Sequence, residues 1–284
     1  MSSTSIENAL TPWEENAAIW DEAMGDEGNH YFRLLELPIL EKLVPRQRGS
    51  RAIDLATGNG LVARWLVQEG MSVLATDGAS AMVERARART NDCYQRGQLS
   101  DEHQISFQTL DVTDPGSWQE FMSNISEPKH GFDIITMNMA LMDIKHIEPL
   151  ASSLKQLLNP NGCFVATLLH PLFFTSGADR QIIVHEDPVT GKRSIERSII
   201  LKKYLNAPPA RQLPFPERDM VQPPFSFHRP LHVLLAPFFQ AGLVMDALQE
   251  TNFDESFHDS AREYASVNFV EFPKILGFRM RRAA

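Results

Sequence analysis

The sequence predicts an α/β fold: a mostly parallel sheet with helices on both faces. Three observations carry that expectation. Short apolar runs alternate with segments of helical periodicity along most of the 284 residues, the pattern of repeated βαβ units. The first unit, Arg51 to Asp77, sets Gly58-Asn59-Gly60 between an apolar run and an apolar-periodic segment. A polar signal also closes each apolar run: the Gly58 turn, then Asp77, Asp111, Asn138 and His170. Parallel sheets bind ligands at those strand ends.

Taken in order, residues 1–12 are polar and are expected to fray. Trp13, Ala17, Trp20 and Met24 recur at helical spacing, and Phe32, Leu35 and Ile39 mark a second helix that Pro38 kinks. Gly25, Gly28 and Asn29 form the loop between them. Two readings of residues 1–45 stay open. They are amphipathic helices packed on the domain, or a helical lid that brings Trp20, Met24, His30 and Tyr31 to a ligand.

Ala52 to Leu55 opens the central unit as a strand, Leu61, Val62, Trp65 and Leu66 form a helix face, and Val73 to Asp77 is the second strand. Gly58 and Gly60 let the backbone turn tightly and approach a ligand closely. The following helix aims free N–H groups at that ligand and favours negative charge there. Asp77 is placed to accept hydrogen bonds from a ribose diol, so the ligand is expected to be a nucleoside with an anionic group. Gly58-x-Gly60-x-x-Ala63 also fits a dinucleotide fingerprint, with an acid about 20 residues on. An ordinary strand-to-helix turn is the third reading.

Ala81 to Thr90 is a helix whose Met82 either packs on a purine or fills the core. Residues 91–104 read as polar loop. Ile105 to Leu110 is the third strand, ending at Asp111-Val112, where Asp111 either meets an adenine amino group or caps the next helix. Phe132 to Met137 is the fourth strand, Ile147 to Leu158 a helix, and Cys163 to Leu169 the fifth strand. Residues 171–230 are rich in Pro and break the rhythm; they are expected to be an insertion that builds the substrate pocket. Leu231 to Ala241 is a helix. Val244 to Glu250 and Phe269 to Arg279 are expected to form an antiparallel hairpin at the sheet edge, the second strand broken by Pro273.

A net charge of −9 and a pI near 5.5 argue against nucleic acid as a partner. No run approaches the ~20 apolar residues of a membrane helix, and the first residues lack the basic and apolar regions of a signal peptide. With only Cys93 and Cys163, a reducing, cytoplasmic setting is expected, and no metal site.

Asp54-Leu55-Ala56-Thr57-Gly58-Asn59-Gly60 resembles the first motif of class I S-adenosylmethionine-dependent methyltransferases. Asp77, Asp111-Val112 and Asn138-Met139-Ala140-Leu141 match the later motifs in order and spacing. Residues 227–248 resemble small-molecule enzymes of the ubiquinone-biosynthesis type. Residues 20–29 and His170-Pro171 look like a branch that includes secondary-metabolite S-methyltransferases of the gliotoxin bis-thiomethylating kind. The resemblance implies one Rossmann-like domain over residues 1–284, with a seven-stranded sheet whose last strand is antiparallel. It implies S-adenosylmethionine as cofactor and S-adenosylhomocysteine as product. The acceptor it implies is a small molecule with a sulfur, oxygen or nitrogen nucleophile. The cofactor residues it implies are Trp20, Asp54, Gly58, Gly60, Asp77, Gly78, Met82, Asp111, Val112, Asn138 and Met139. The chain is expected to be a monomer or a homodimer.

Methyl transfer is an in-line displacement at an activated carbon, so alignment is the protein's main task. A general base is needed for hydroxyl or amine acceptors, less so for thiols. His170 and His228 are the candidate bases by placement, with Asp143 and His30 as further options. Met24, His30, Asp143, Phe173 and Arg229 are the candidate substrate residues. Two alternatives stay open: a nicotinamide-dependent dehydrogenase, and a methyltransferase-like protein that binds the cofactor without transferring methyl.

Overall fold

The computed structural model describes residues 9–100, 105–125, 131–215 and 218–283. Seven strands form one sheet in the order β10-β11-β5-β4-β1-β2-β3. They are β1 (Arg51–Leu55), β2 (Ser72–Asp77), β3 (Ile105–Thr109), β4 (Phe132–Asn138), β5 (Leu158–Leu169), β10 (Leu243–Thr251) and β11 (Ile275–Arg282). β1 to β5 run parallel. β11 is antiparallel to both β5 and β10, with Ile275 opposite Leu169 and Thr251.

The central strands β1 and β4 and the second half of β5 are apolar almost throughout because both faces are covered, whereas of the edge strands β3 is partly and β10 largely exposed. Ala52, Val73, Ala75, Ile134 and Val165 share one apolar cluster with α2 (Leu37–Leu43) and α3 (Leu61–Gln68). Ile53, Leu55, Ile135, Met137 and Phe164 belong to the opposite cluster. That cluster includes α5 (Pro115–Asn124), α6 (Glu148–Leu157) and α7 (Leu231–Gln240). Successive side chains of a strand point to opposite faces, so β1, β4 and β5 each feed both clusters.

Several boundaries differ from the sequence-based expectation. α4 (Ser80–Gln95) runs five residues past Thr90, into the segment expected to be loop. Residues 101–104 of that loop lie outside the described residues. β11 begins at Ile275, not Phe269; Pro273 has no N–H for a ladder, and Asn252 instead donates to the carbonyls of Phe269 and Phe272. The second N-terminal helix opens with a π turn, Phe32–Glu36, in which the Leu37 N–H reaches the Phe32 carbonyl. The widened turn adjoins Pro38, whose missing N–H removes one helical bond.

The insertion is structured. β6 (Ala178–Glu186) and β7 (Arg193–Leu201) form an antiparallel hairpin that the sequence reading does not contain, and β8 (Ala210–Arg211) pairs with β9 (Phe225–Ser226). α1 (Thr11–Met24) lies against α4 and holds the insertion to the domain: Asn16 accepts from the Val221 N–H and donates to the Gln222 carbonyl.

Candidate functional site

A cleft of about 1560 Å³ opens at the carboxyl ends of the parallel strands. Its floor is the turn after β1. There Asp54, buried, accepts from the hydroxyls of Thr57 (2.5 Å) and Thr136 (2.8 Å), pinning the turn to β4. Gly58 has φ +57°, and a Cβ there would come 3.3 Å from the Trp20 indole nitrogen. The backbone is therefore bare toward the cleft, with Trp20 closing over it.

Asp77 ends β2 and is held by two backbone amides, Gly58 N–H (2.9 Å) and Ala79 N–H (3.0 Å). Burial raises its carboxyl to about 6 against the pull of those amides, and burial does the same to Asp54. A carboxylate has about four acceptor positions, so two amide bonds fix the group and leave capacity for a ligand. Gly78, Met82, Asp111 and Val112 continue the wall. Asp111 Oδ1 accepts from the Thr113 N–H and hydroxyl, which fixes that carboxyl too.

Asn138 and Met139 line the cleft at the end of β4. Asn138 Oδ1 accepts from the Thr167 hydroxyl (2.5 Å), and its amide donates to Glu36 Oε2 (2.7 Å). Glu36 is 5% exposed, and burial lifts its carboxyl from 4.5 to about 7, the Asn138 bond opposing. Sequence reasoning missed this residue: it reads as one more acid on an amphipathic helix. Ala56 (φ 52°) and Met139 (φ 53°) hold left-handed backbone at the ends of β1 and β4, a strain that concentrates at functional edges.

The N-terminal segment roofs the cleft. Trp20 packs edge-on against Trp13 and tilts against Phe215 of the insertion, at 5.2 Å in each case. Asn59 donates to Asp21 and to the Gly25 carbonyl, and Arg89 of α4 binds Asp21 and Asp26. Met24, His30, Asp143 and Phe173 also line the cleft. Asp143 accepts from Gln212 of the insertion, and burial raises its carboxyl well above the usual range.

Four of the expected site residues lie elsewhere. Gly60 (φ +83°) caps α3 behind the turn, facing Arg64 and Ala86. His170 is buried, with Nε2 2.8 Å from Glu250 and Nδ1 accepting from the Leu172 N–H. His228 bonds the Tyr204 carbonyl at 2.6 Å. Arg229 spends its guanidinium on the carbonyls of Leu141, Phe227, Ile144 and Lys145. Neither histidine lines the cleft, and both rings are engaged by the protein.

Among the described residues no group of three metal-binding side chains occurs, and no helix is long and apolar enough to cross a membrane.

Comparison with known proteins agrees with this architecture. An uncharacterized protein of Haemophilus influenzae is 26% identical over 140 residues, 49% of this chain and 50% of that protein. The ubiquinone biosynthesis O-methyltransferase of Pasteurella multocida is 24% identical over 160 residues, 54% of this chain and 60% of that protein. The chain thus matches about half to three-fifths of the length of these curated relatives. A crystal structure of an S-adenosylmethionine-dependent methyltransferase from Mesorhizobium loti superposes with TM-score 0.57 at 22% identity, covering 87% of this chain and 97% of that one. A family profile described as a methyltransferase domain matches residues 29–186, more than half of the sequence, and by that match the chain belongs to the methyltransferase domain family.

Proposed function

We propose that the chain binds S-adenosylmethionine in the cleft and transfers its methyl group to a small-molecule sulfur, oxygen or nitrogen nucleophile. The observation that carries this reading is the pairing of Gly58 with Asp77. A left-handed glycine leaves bare backbone at the cleft floor, and its own N–H locks the carboxylate that ends β2. That arrangement suits a nucleoside: Asp77 for the ribose diol, Met82 and Val112 for the faces of the base, Asp111 for its amino group. Asn138 and the Gly58 turn would hold the amino-acid end.

A cofactor held by these residues would supply an activated methyl carbon for in-line displacement. The chain's part is alignment, which supplies roughly 7–11 kcal/mol in favourable cases. Glu36 would take the nucleophile's proton: a carboxyl near 7 suits a base at neutral pH, and Asn138 orients it. The roof of α1 and the insertion would exclude water. The cleft exceeds the usual 300–1,000 Å³ of a single-ligand pocket, which supports two ligands side by side. The sequence resemblance supports a secondary metabolite as acceptor, and the unpaired, buried Cys93 and Cys163 fit a cytoplasmic setting.

The dinucleotide alternative is not favoured. A doubly wound dinucleotide sheet continues past its fifth strand with a parallel sixth, whereas here antiparallel β11 takes that place. The test is incubation with methyl-labelled S-adenosylmethionine and a panel of thiols, phenols, amines and carboxylic acids. The reading expects label in at least one acceptor class. S-adenosylhomocysteine bound with no acceptor labelled would support the non-transferring alternative.

A further inference from the structure

The cleft has a second polar pole, on the far side of β5 from the Gly58 turn. Lys274 immediately precedes β11, and its carbonyl accepts from the His170 N–H just beyond the end of β5. Lys274 lines the cleft, yet the residue is only 4% exposed. No carboxylate among the described residues lies within 4 Å of it. Its close neighbours are the Ser266 hydroxyl and the faces of Tyr31 and Phe174, each ring centre 4.7 Å away.

Such a setting is costly for a cation. Buried charges in proteins are paired or hydrogen-bonded, because water is no longer there to solvate them. Two aromatic faces offset only part of what burial takes away. A second cation faces the same cleft: Arg180 of β6, whose guanidinium donates to the Tyr264 carbonyl at 2.7 Å. Tyr31 answers this charge. Burial alone would raise its phenol, yet the pull of Lys274 brings it below the ordinary value. A chain of net charge −9 has therefore placed two cations without acidic partners at one end of an aromatic-walled cleft.

We infer that Lys274, with Arg180 beside it, is the receptor for a carboxylate on the methyl acceptor, and that Tyr31, Phe174 and Phe253 hold the planar body that carries it. This rests on the methyl-transfer reading and narrows its substrate to aromatic carboxylic acids. The geometry fits an acceptor spanning the cleft. In idealised sheet geometry Lys274 lies two strand spacings (~10 Å) across and three residues (~10 Å) along from Asn138. The carboxylate would be held at one pole while the nucleophile is presented at the other. Tyr31 and Phe253, edge-on at 5.1 Å, would form one wall of the slot.

The test uses the full chain with S-adenosylhomocysteine bound and titrates benzoate and 3-phenylpropanoate against their neutral amides. Wild type is expected to bind at least one acid tenfold or more tightly than its amide. Lys274→Met is expected to lose that preference and Lys274→Arg to keep most of it, with S-adenosylhomocysteine affinity the same in all three. Equal binding of acid and amide by wild type would overturn the proposal. So would a Lys274→Met variant whose acid preference is intact, or one whose S-adenosylhomocysteine affinity falls tenfold, which would put the cofactor's own carboxylate at Lys274. Because Lys274→Met is nearly isosteric, a folding defect would show as a lowered melting temperature; the wild-type acid-to-amide ratio then decides alone. Failure of wild type to bind S-adenosylhomocysteine at all would sink the methyl-transfer reading instead, and the acid-to-amide ratio without nucleoside would still be measurable.

Discussion

The Asn138 amide donates to Glu36 Oε2 at 2.7 Å, joining the end of the fourth strand to a π turn 102 residues earlier in the chain. Burial lifts this carboxyl in the cleft from an ordinary value of 4.5 to about 7, and the Asn138 bond opposes part of that rise. The folded chain therefore keeps a proton on Glu36 between pH 4.5 and about 7 that the unfolded chain releases. Stability from this group is fully present below 4.5 and is lost as pH rises toward 7, on the order of 3 kcal/mol in all. Asp54 and Asp77, raised from 3.8 to about 6, act in the same direction. Denaturant unfolding at pH 4.5 and pH 8 should show the ligand-free wild type losing about 3 kcal/mol more than Glu36→Gln. Equal losses would contradict the assignment.

Gly58 and Gly60 should separate by phenotype. Gly58→Ala forces a Cβ onto left-handed backbone and toward Trp20, on the cleft floor. Gly60→Ala meets Arg64 at 3.0 Å and Ala86 at 3.3 Å, away from the cleft. The first should weaken S-adenosylhomocysteine binding by tenfold or more. The second should cost about 1–2 kcal/mol of stability with affinity little changed. Calorimetry and thermal melts on both variants check this.

Arg229 should prove to be a clamp on the loop after β4. Four carbonyls share its guanidinium, a fork that lysine does not reproduce. Arg229→Lys should cost about 1–2 kcal/mol of stability, because partly buried carbonyls lose their donor. His170→Ala and His228→Ala should keep turnover at saturating cofactor within about threefold, since both rings serve protein partners and neither faces the cleft. A hundredfold loss in either would restore a histidine base.

The roof is fastened by Arg89, which reaches Asp21 and Asp26 from α4. The contact is largely shielded, with side-chain exposures of 20% for Arg89, 8% for Asp21 and 28% for Asp26, but Asn59 and Arg85 also reach Asp21, so removing Arg89 does not strand that carboxylate. Its value lies in holding α1 over the turn. Arg89→Ala should raise amide exchange across Thr11–Met24 and weaken nucleoside binding severalfold, with a melting temperature within a few degrees of wild type. Exchange unchanged in α1 would show that the aromatic contacts of Trp20 hold the roof unaided.

The sheet was legible in the sequence because burial on both faces of its central strands writes near-continuous apolar runs, and the polar signals ending the first four runs marked the cleft, while His170, ending the fifth, did not. Asp77, Asp111 and Asn138 all line it. The β6–β7 hairpin carried a signal too: Ile182-Ile183-Val184 and Ile199-Ile200 flank a turn around Asp187 and Gly191. Pro-rich neighbours obscured it, and the strands are largely exposed, so no alternation survives. Glu36 and Lys274 were illegible for another reason. Their significance is burial without a charge partner, which depends on residues far away in the chain. His170 and Arg229 show the converse: striking positions in sequence whose polar atoms are taken up by Glu250 and by four carbonyls.

The most direct measurement is calorimetric titration of S-adenosylmethionine, S-adenosylhomocysteine and NAD into wild type and Asp77→Ala. The account predicts micromolar binding of both sulfur nucleosides by wild type, weakened at least a hundredfold in the variant, and no comparable binding of NAD. Tight NAD binding with neither sulfur nucleoside bound would contradict it and return the Gly58 turn to a dinucleotide.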